Sequence, residues 1–349
     1  MMQTFTNLAQ RSDELWQQRL ALCTSDYITL AQLQRHDRQL LQSVRLCQRY
    51  LSADDAGMPA WLSAILNDSA AELNMVLTLP LALPAQRLVA EIWLALRAKT
   101  AEHYRQQFNR PEQSQLLCLL CNKALATGLF QQMWHLDQRS AVQLAGQFGL
   151  VEQVSVLQSI AGSRSLNAAS LAELRFSLYL LGQQTDVVGL TEQLLSAQCL
   201  QPRQLQLLLL AATRDQKIRI INLLCLVDYT LALNAMGFSG LTKFCPLLLD
   251  IARQPELKAT AQSALITMYG PLTADNLLNT DQPVDQSAAY CINAVLVGGQ
   301  AVETLNTALL WATGNHYHRF AAAALHVLQQ PGLALAEPHN WRGGEWPVA

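Results

Sequence analysis

Apolar side chains recur at intervals of three and four residues along almost the whole chain, and this spacing restricts the fold more than any other feature. Between Ile28 and Leu51 the apolar positions include Leu33, Leu40 and Val44, which lie on one face of a helix. The alternation of β-branched and polar residues that a half-buried strand requires is nearly absent. The pattern therefore predicts an all-α protein.

Glycine residues recur within this helical pattern from about residue 112 onward. Gly149 and Gly182 are 33 residues apart, and so are Gly237 and Gly270. Each follows an apolar segment, where glycine supplies the left-handed conformation that ends a helix at no steric cost. A helical period of this length is typical of solenoids, in which neighbouring hairpins bury each other's apolar faces. We therefore expect each of these glycines to end a helix.

The segment from Phe238 to Gly270 shows one complete hairpin. A first helix is expected from Leu241 to Arg253 and a second from Leu257 to Tyr269, with Pro255 in the turn. The side chains expected to face the core are Phe244, Leu247, Leu248, Ile251, Ala261, Ala264 and Leu265. The sequence thus predicts an α-solenoid of HEAT-like helical hairpins at 111–336, preceded by an N-terminal helical region with long helices at 1–110 and followed by a C-terminal tail at 337–349.

The amino-acid composition argues against nucleic acid as the main partner and against a membrane span. Only 14% of the residues are charged and the net charge is −2, so no basic region indicates nucleic acid as the main partner. No stretch is apolar for the ~20 residues that a membrane span needs, and the N-terminus carries no apolar secretory signal. The eight cysteines are then expected to be reduced thiols in the cytoplasm.

Catalytic and metal-binding motifs are not found, so we expect no enzyme activity, no cofactor and no metal site. Cys118 and Cys121 have the C-x-x-C spacing but lie inside a leucine-rich helix without a second such pair, which favours core packing. His316 and His318 would point to different sides of a helix that Asn315 caps. A structural role for both histidines is favoured over a metal site.

A basic stripe on the second helix is one candidate binding surface. Its arginines are Arg35, Arg38, Arg45 and Arg49. A solvated helix face explains such a run most simply, with Asp37 and the acidic loop at Asp54 and Asp55 as ionic partners. The alternative is that the arginines dock an acidic surface of a partner protein.

The C-terminal tail at 337–349 is the other candidate binding surface. Trp341, Arg342 and Trp346 are residue types enriched where binding energy is concentrated, and the surrounding proline and glycine residues oppose a helix. The competing interpretation is that both indole rings fold back and cover the apolar end of the last repeat.

The motifs as a group resemble a family of bacterial HEAT-like proteins whose genes lie beside type VI secretion components. The resemblance rests on Leu15-Trp16, Arg19, Tyr27, Leu30-Ala31-Gln32-Leu33, Arg35, Asp37 and Leu40, on Ala235-Met236-Gly237-Phe238-Ser239-Gly240 and Ile266-Thr267-Met268-Tyr269-Gly270, and on Tyr317-His318-Arg319. The family has no established activity or catalytic residues. The resemblance implies a helper role in the secretion of effector proteins.

Three functions remain open at this point. The first is a protein-binding scaffold or adaptor that assists assembly of a type VI secretion effector or spike component, through side chains on the concave surface of successive hairpins. The second is an immunity-type protein that binds and blocks a toxic effector. The third is an enzyme of the DNA-repair HEAT type, which would need a clustered basic groove that the slightly acidic composition does not favour.

Overall fold

A computed structural model describes residues 2–53, 55, 57–67, 79, 81–97, 120, 122–162, 166–279 and 294–338. The N-terminal helices are α1 (Met2–Cys23), α2 (Leu30–Tyr50), α3 (Ala60–Leu66) and α4 (Leu83–Leu96). The central helices are α5 (Lys123–Leu136), α6 (Gln138–Gln147), α7 (Val154–Ala161), α8 (Ala168–Leu180), α9 (Val187–Ser196), α10 (Pro202–Ala211), α11 (Arg214–Val227), α12 (Tyr229–Ser239), α13 (Cys245–Ile251), α14 (Lys258–Tyr269) and α15 (Pro271–Leu278). The strands β1 (Leu296–Val297) and β2 (Gln300–Ala301) and the helices α16 (Thr307–Thr313) and α17 (His316–Gln329) complete the described chain.

The all-α prediction is confirmed, because helices dominate the described residues and the only strands there form one short antiparallel hairpin. The central helices pack in two layers. In one layer α6 contacts α8, and α10 contacts α12, which contacts α14. The other layer is formed by helices that pack on these, such as α5 on α6 and α11 on α12. None of the helices in the described ranges is long and apolar enough to cross a membrane.

An internal repeat of 91 residues relates two parts of this array, which we call the first unit (122–182) and the second unit (213–270). Asn122 and Thr213 cap α5 and α11, which both have 14 residues. Asp137 and Asp228 cap α6 and α12 from nearly the same backbone conformation. The buried side chains of α5 and α11 also correspond: Ala126, Leu129, Phe130 and Met133 to Lys217, Ile220, Ile221 and Leu224.

The glycine prediction is correct at three positions and wrong at the fourth. Gly149, Gly182 and Gly270 have positive φ angles of 62°, 75° and 81° beside helix ends. Gly237 lies inside α12, which continues to Ser239 and is followed by Gly240 at φ 67°. A Cβ atom at Gly237 would lie 2.7 Å from the Cα of Ala264, so this glycine lets α12 and α14 approach closely.

The predicted hairpin is present, but its first helix starts later than expected. A 3-10 turn covers Thr242–Phe244, and α13 begins at Cys245. This start rotates the buried face to Cys245, Leu248, Leu249 and Ile251 and leaves Leu247 43% exposed, contrary to the prediction. In α14 the expected inward residues Ala261, Ala264 and Leu265 are buried.

Helix α17 is largely buried and lies between α10 and the loop that joins α1 to α2. It packs on α10, and its alanines at 321–324 are at most 1% exposed. Its partner α16 contacts α2, so the C-terminal helix pair joins the N-terminal hairpin to the array. Leu207, Leu208 and Leu210 of α10 are buried in the same cluster as α17. The face of α10 that a binding surface along the hairpins would use is therefore covered.

Gly237 provides a test of the close helix contact. Substitution by Ala is expected to lower the free energy of unfolding by about 1–3 kcal/mol, because the new methyl group overpacks the α12–α14 contact. Gly162→Ala is the control, since the atoms nearest to its added methyl group would be two carbonyl oxygens at 3.6 and 3.9 Å and its φ is −81°. Urea denaturation of both variants measures the difference. Equal effects at the two glycines would contradict the assignment.

Candidate functional site

Helix α2 carries the predicted basic stripe, and its register is set by a capping box. The backbone N–H of Thr29 donates to the side-chain oxygen of Gln32 at 2.9 Å, and the Thr29 hydroxyl accepts from the Gln32 backbone N–H. From this start the apolar side chains Leu33, Leu40, Leu41, Val44 and Cys47 all face the core. Of the polar residues between them, His36, Asp37 and Ser43 are also buried, whereas the arginines are turned toward solvent.

The arginine face of α2 consists of Arg35, Arg38, Arg45 and Arg49. All four are exposed, and steps of three, seven and four residues keep them in one stripe. Leu46 and Tyr50 lie beside the stripe and are 45% and 53% exposed. Within the described ranges, none of the four arginines forms an ion pair. The face therefore presents four positive charges next to apolar and aromatic surface.

Two of the three predicted carboxylate partners of these arginines are engaged elsewhere. Asp37 is fully buried and pairs with Arg19 of α1, with the Nη2 of Arg19 at 3.3 Å from Oδ2 of Asp37 and Nε bonded to Oδ1. Asp55 accepts a hydrogen bond of 2.8 Å from the backbone N–H of Ser52. Asp54 lies outside the described residues. The expectation that Asp37 neutralises the stripe is wrong, because residue 37 lies on the apolar face.

The ion pair of Arg19 and Asp37 is buried on the inner side of α2, which carries the arginine face on its outer side. Both side chains have no exposed surface, and Arg19 also donates to the sulfur of Cys23. Burial alone would lower the pKa of Arg19, but the Asp37 carboxylate outweighs it and the pKa is raised. Burial likewise raises the pKa of the Cys23 thiol, in spite of the nearby guanidinium.

A polar junction joins this hairpin to α17. It consists of residues 24–29, between α1 and α2, and residues 314–319. Arg319 is fully buried, and its Nη1 donates to the carbonyl oxygens of Ile28 and Gly314 at 3.2 Å. Burial lowers the pKa of Arg319 to about 10, and the positive charge of Arg19 acts in the same direction. The side-chain amide of Asn315 donates to the carbonyl of Asp26 at 3.0 Å.

The two histidines of α17 are structural members of this junction. As expected, Asn315 caps the helix. His316 Nδ1 lies 3.3 Å from the carbonyl oxygen of Ser25. His318 Nε2 lies within 3.1 Å of the carbonyls of Ile266 and Thr267, while its Nδ1 accepts the backbone N–H of Asn315. Burial lowers the pKa of each ring to about 4, so both are neutral at pH 7.

The other site residues predicted from the sequence belong to parts of the chain that the structure does not describe. Trp341, Arg342 and Trp346 lie outside the described residues, as do Cys118 and Cys121. The last described part of the chain is held beside α10 by an ion pair between Glu337 and Arg203. Among the described side chains, no three histidine, cysteine or carboxylate groups converge in a way that could hold a metal ion.

Sequence reasoning identified the arginine face but missed the buried pair beneath it. One signal was present, because Asp37 falls between Leu33 and Leu41 at intervals of four residues on the apolar stripe. A carboxylate at such a position requires a buried partner. The junction had no comparable signal, since its contacts join residues about 290 positions apart.

Loss of the Asp37 carboxylate is expected to be strongly destabilising. Asp37→Ala leaves the guanidinium of Arg19 buried without its counter-charge, which costs about 3–5 kcal/mol of unfolding free energy. Asp250→Ala is the control, because its pair with Arg253 is at the surface and contributes well under about 1 kcal/mol. Urea denaturation of both variants at pH 7 gives the comparison. A loss at Asp37 no larger than at Asp250 would exclude a central role for the pair.

Stability is expected to fall as the pH drops from 6.5 through 4. The folded-state pKa of His316 and His318 is about 4, below the value of 6.5 in the unfolded chain, so protonation favours unfolding. Each histidine adds up to about 1.4 kcal/mol of lost stability per pH unit over this range. The measurement is the urea unfolding free energy between pH 7 and pH 4.5.

The variant His318→Gln separates this effect from the protonation of carboxylates. It is expected to be less stable at pH 7 but to lose stability less steeply with falling pH, because one of the two buried imidazoles is absent. His135→Gln, at an exposed position of α5, serves as the matched control. A slope that is the same in wild type and in His318→Gln would refute the assignment to the buried ring.

Comparison with known proteins adds no family assignment. Neither the known protein families nor the curated proteins nor the solved structures compared with this chain include a match. The resemblance to HEAT-like proteins near type VI secretion components stays a prediction from the motifs quoted above. The arginine face and the packing that holds it are therefore the features from which a function can be inferred.

Proposed function

We propose that this chain is a protein-binding adaptor that docks an acidic surface of its partner on the arginine face of α2. The observation that carries the proposal is the row of four exposed arginines with Leu46 and Tyr50 beside it. Arginine and tyrosine are enriched where binding energy concentrates, because they combine hydrogen bonding or charge with a large apolar area. The acidic partner is inferred from charge complementarity, which also raises the rate of encounter.

The packing of α2 supports this use of its outer face. The helix is anchored on α1, α3, α4 and α16, so its inner face is fully engaged. The buried pair of Arg19 and Asp37 fixes the helix against α1. A partner that binds the stripe thus meets side chains on a rigid support, and little ordering entropy is lost on binding. The covered face of α10 makes this outer face a better candidate than the concave surface.

The motif resemblance supplies a context for the partner. In this proposal the chain acts in the cytoplasm and assists the assembly of a type VI secretion effector or spike component. The cysteines within the described ranges form no disulfide, which agrees with a reducing compartment. Trp341, Arg342 and Trp346 stay a predicted second contact with the partner.

Charge reversal on α2 tests the proposal. The double variant Arg38→Glu/Arg45→Glu is titrated with a purified type VI secretion effector and with a purified spike protein. We expect at least one of them to bind the wild-type chain, and its Kd to rise at least tenfold in the variant, because four positive charges become two positive and two negative. Wild-type affinity is also expected to fall as salt is raised.

A matched control exists in another part of the chain. Arg219→Glu/Arg253→Glu makes the same change in net charge at exposed positions of the second unit. This variant is expected to bind as wild type does. Binding of neither secretion component, an equal loss in the control variant, or equal affinity of the arginine face for duplex DNA would overturn the proposal. Stoichiometric inhibition of a toxic effector would replace the adaptor role with the immunity role.

A further inference from the structure

The two repeat units differ in the segment of chain that covers the C-terminal ends of their helices. In each unit two neighbouring helices of the same layer end side by side, α6 with α8 and α12 with α14, and each pair ends in positive-φ glycines. The glycines are Gly149 and Gly182 in the first unit and Gly240 and Gly270 in the second. A segment from a later part of the chain crosses each pair of helix ends. We call the crossing site of the first unit the α6–α8 groove.

In the second unit the crossing segment is the β1–β2 hairpin, and it is held by backbone hydrogen bonds along its length. The N–H of Leu296 donates to the carbonyl of Gly240 at 2.9 Å, and those of Gly298 and Gly299 donate to the carbonyls of Thr267 and Met268 at 3.0 and 2.9 Å. A further bond of 3.2 Å runs from the N–H of Thr242 to the carbonyl of Ala294. The hairpin is thus a fixed part of the second unit.

In the first unit the crossing segment is the C-terminal stretch Gln330–Pro338, which we call the strap. It passes directly over the glycines, because a Cβ at Gly149 would lie 2.5 Å from the carbonyl carbon of Gly332 and one at Gly182 would lie 3.1 Å from Pro331. Among the described residues a single backbone hydrogen bond joins strap and groove, from the N–H of Leu335 to the carbonyl of Gln147 at 2.7 Å.

Side-chain contacts and apolar packing also attach the strap, since Ala334 packs on the core of the first unit and Leu335 and Ala336 pack on the core that contains α17. Lys123 donates to the carbonyl of Gly332, and Arg203 pairs with Glu337. Arg203 is 40% exposed and Glu337 is 15% exposed, so solvent screens this ion pair in part. Residues 332–337 are half-buried, and residues 329–331 directly before them are exposed. The chain direction changes at Pro331 and Gly332, and the latter has φ 102°. The crossing segment of the first unit therefore forms fewer backbone hydrogen bonds with the helix ends than the β1–β2 hairpin of the second unit does.

We propose that the α6–α8 groove is a docking site for an extended segment of a partner protein, and that the strap occupies it as an exchangeable internal substitute. The groove selects three features that the strap displays. These are a glycine where the segment crosses Gly149, a backbone N–H three residues later that donates to Gln147, and a carboxylate two residues further on for Arg203. A partner segment with this pattern would displace the strap. This inference uses a different surface from the arginine face and stands independently of it.

The first experiment compares amide hydrogen exchange in the full-length wild-type chain. If the strap is exchangeable, the amides of residues 333–337 are expected to exchange at least tenfold faster than those of residues 296–299 in the second unit. Equal protection of the two segments would overturn the proposal, because the strap would then be as fixed as the hairpin. This measurement needs no variant, so it does not depend on the folding of a mutant.

The second experiment uses a fluorescent peptide with the sequence of residues 330–338 as the probe. In the full-length variant Leu335→Asp the chain's own strap is expected to leave the groove, and the peptide is expected to bind at least tenfold more tightly than to wild type. In wild type the tethered strap competes at high effective concentration. Failure of the peptide to bind a folded variant whose strap exchanges freely would refute the docking site.

Two glycine substitutions in the Leu335→Asp background locate the binding. Gly149→Ala is expected to abolish peptide binding, because its methyl group would occupy the path of the Gly332 backbone. Gly240→Ala introduces the same strain at the equivalent position of the second unit and is expected to leave peptide binding unchanged. Equal loss in both would contradict the site. Exchange of straps between two copies of the chain, seen as a dimer by light scattering, would replace the partner protein with a second copy.

Discussion

The buried ion pair between Arg19 and Asp37 is the interaction on which the rest of the arrangement depends. A guanidinium without exposed surface is tolerated only where a carboxylate or carbonyl oxygens replace its water. Asp37 does this for Arg19, and backbone carbonyls do it for Arg319. Because one of those carbonyls belongs to Ile28, Nη1 of Arg319 has both of its acceptors only when α17 lies against the N-terminal hairpin. Electrostatics thus join the two ends of the chain.

The contact between α17 and the N-terminal hairpin decides which surfaces of the protein are exposed to a partner. Helix α17 fills the face of α10 that an open array would expose, and α16 takes one side of α2. The outer side of α2 stays free with its arginines, and it is rigidly supported by the same contacts. The outer side of α2 is therefore the face that we propose for docking in the described part of the molecule.

The two units of the 91-residue repeat share one local arrangement, a pair of glycines at neighbouring helix ends, but different segments of chain cross it. Glycine pairs that end neighbouring helices leave room for another backbone to cross close by, since no Cβ stands in its path. The second unit fills this room with a hydrogen-bonded hairpin, whereas the strap crosses the first unit with a single backbone hydrogen bond among the described residues. The two occupants therefore differ in the number of backbone hydrogen bonds that they form with the helix ends.

The sequence by itself determined the features that depend on neighbours three or four residues away. Helical periodicity predicted the all-α fold and the exposed stripe of Arg35, Arg38, Arg45 and Arg49, and Asn315 was identified as a cap. Only the tertiary structure decided what depends on distant parts of the chain. It placed Asp37 opposite Arg19 and Gly237 against Ala264, and it packed α17 on α10. The physical reason is that side-chain spacing fixes the face on which a residue lies, whereas long-range packing decides what that face meets.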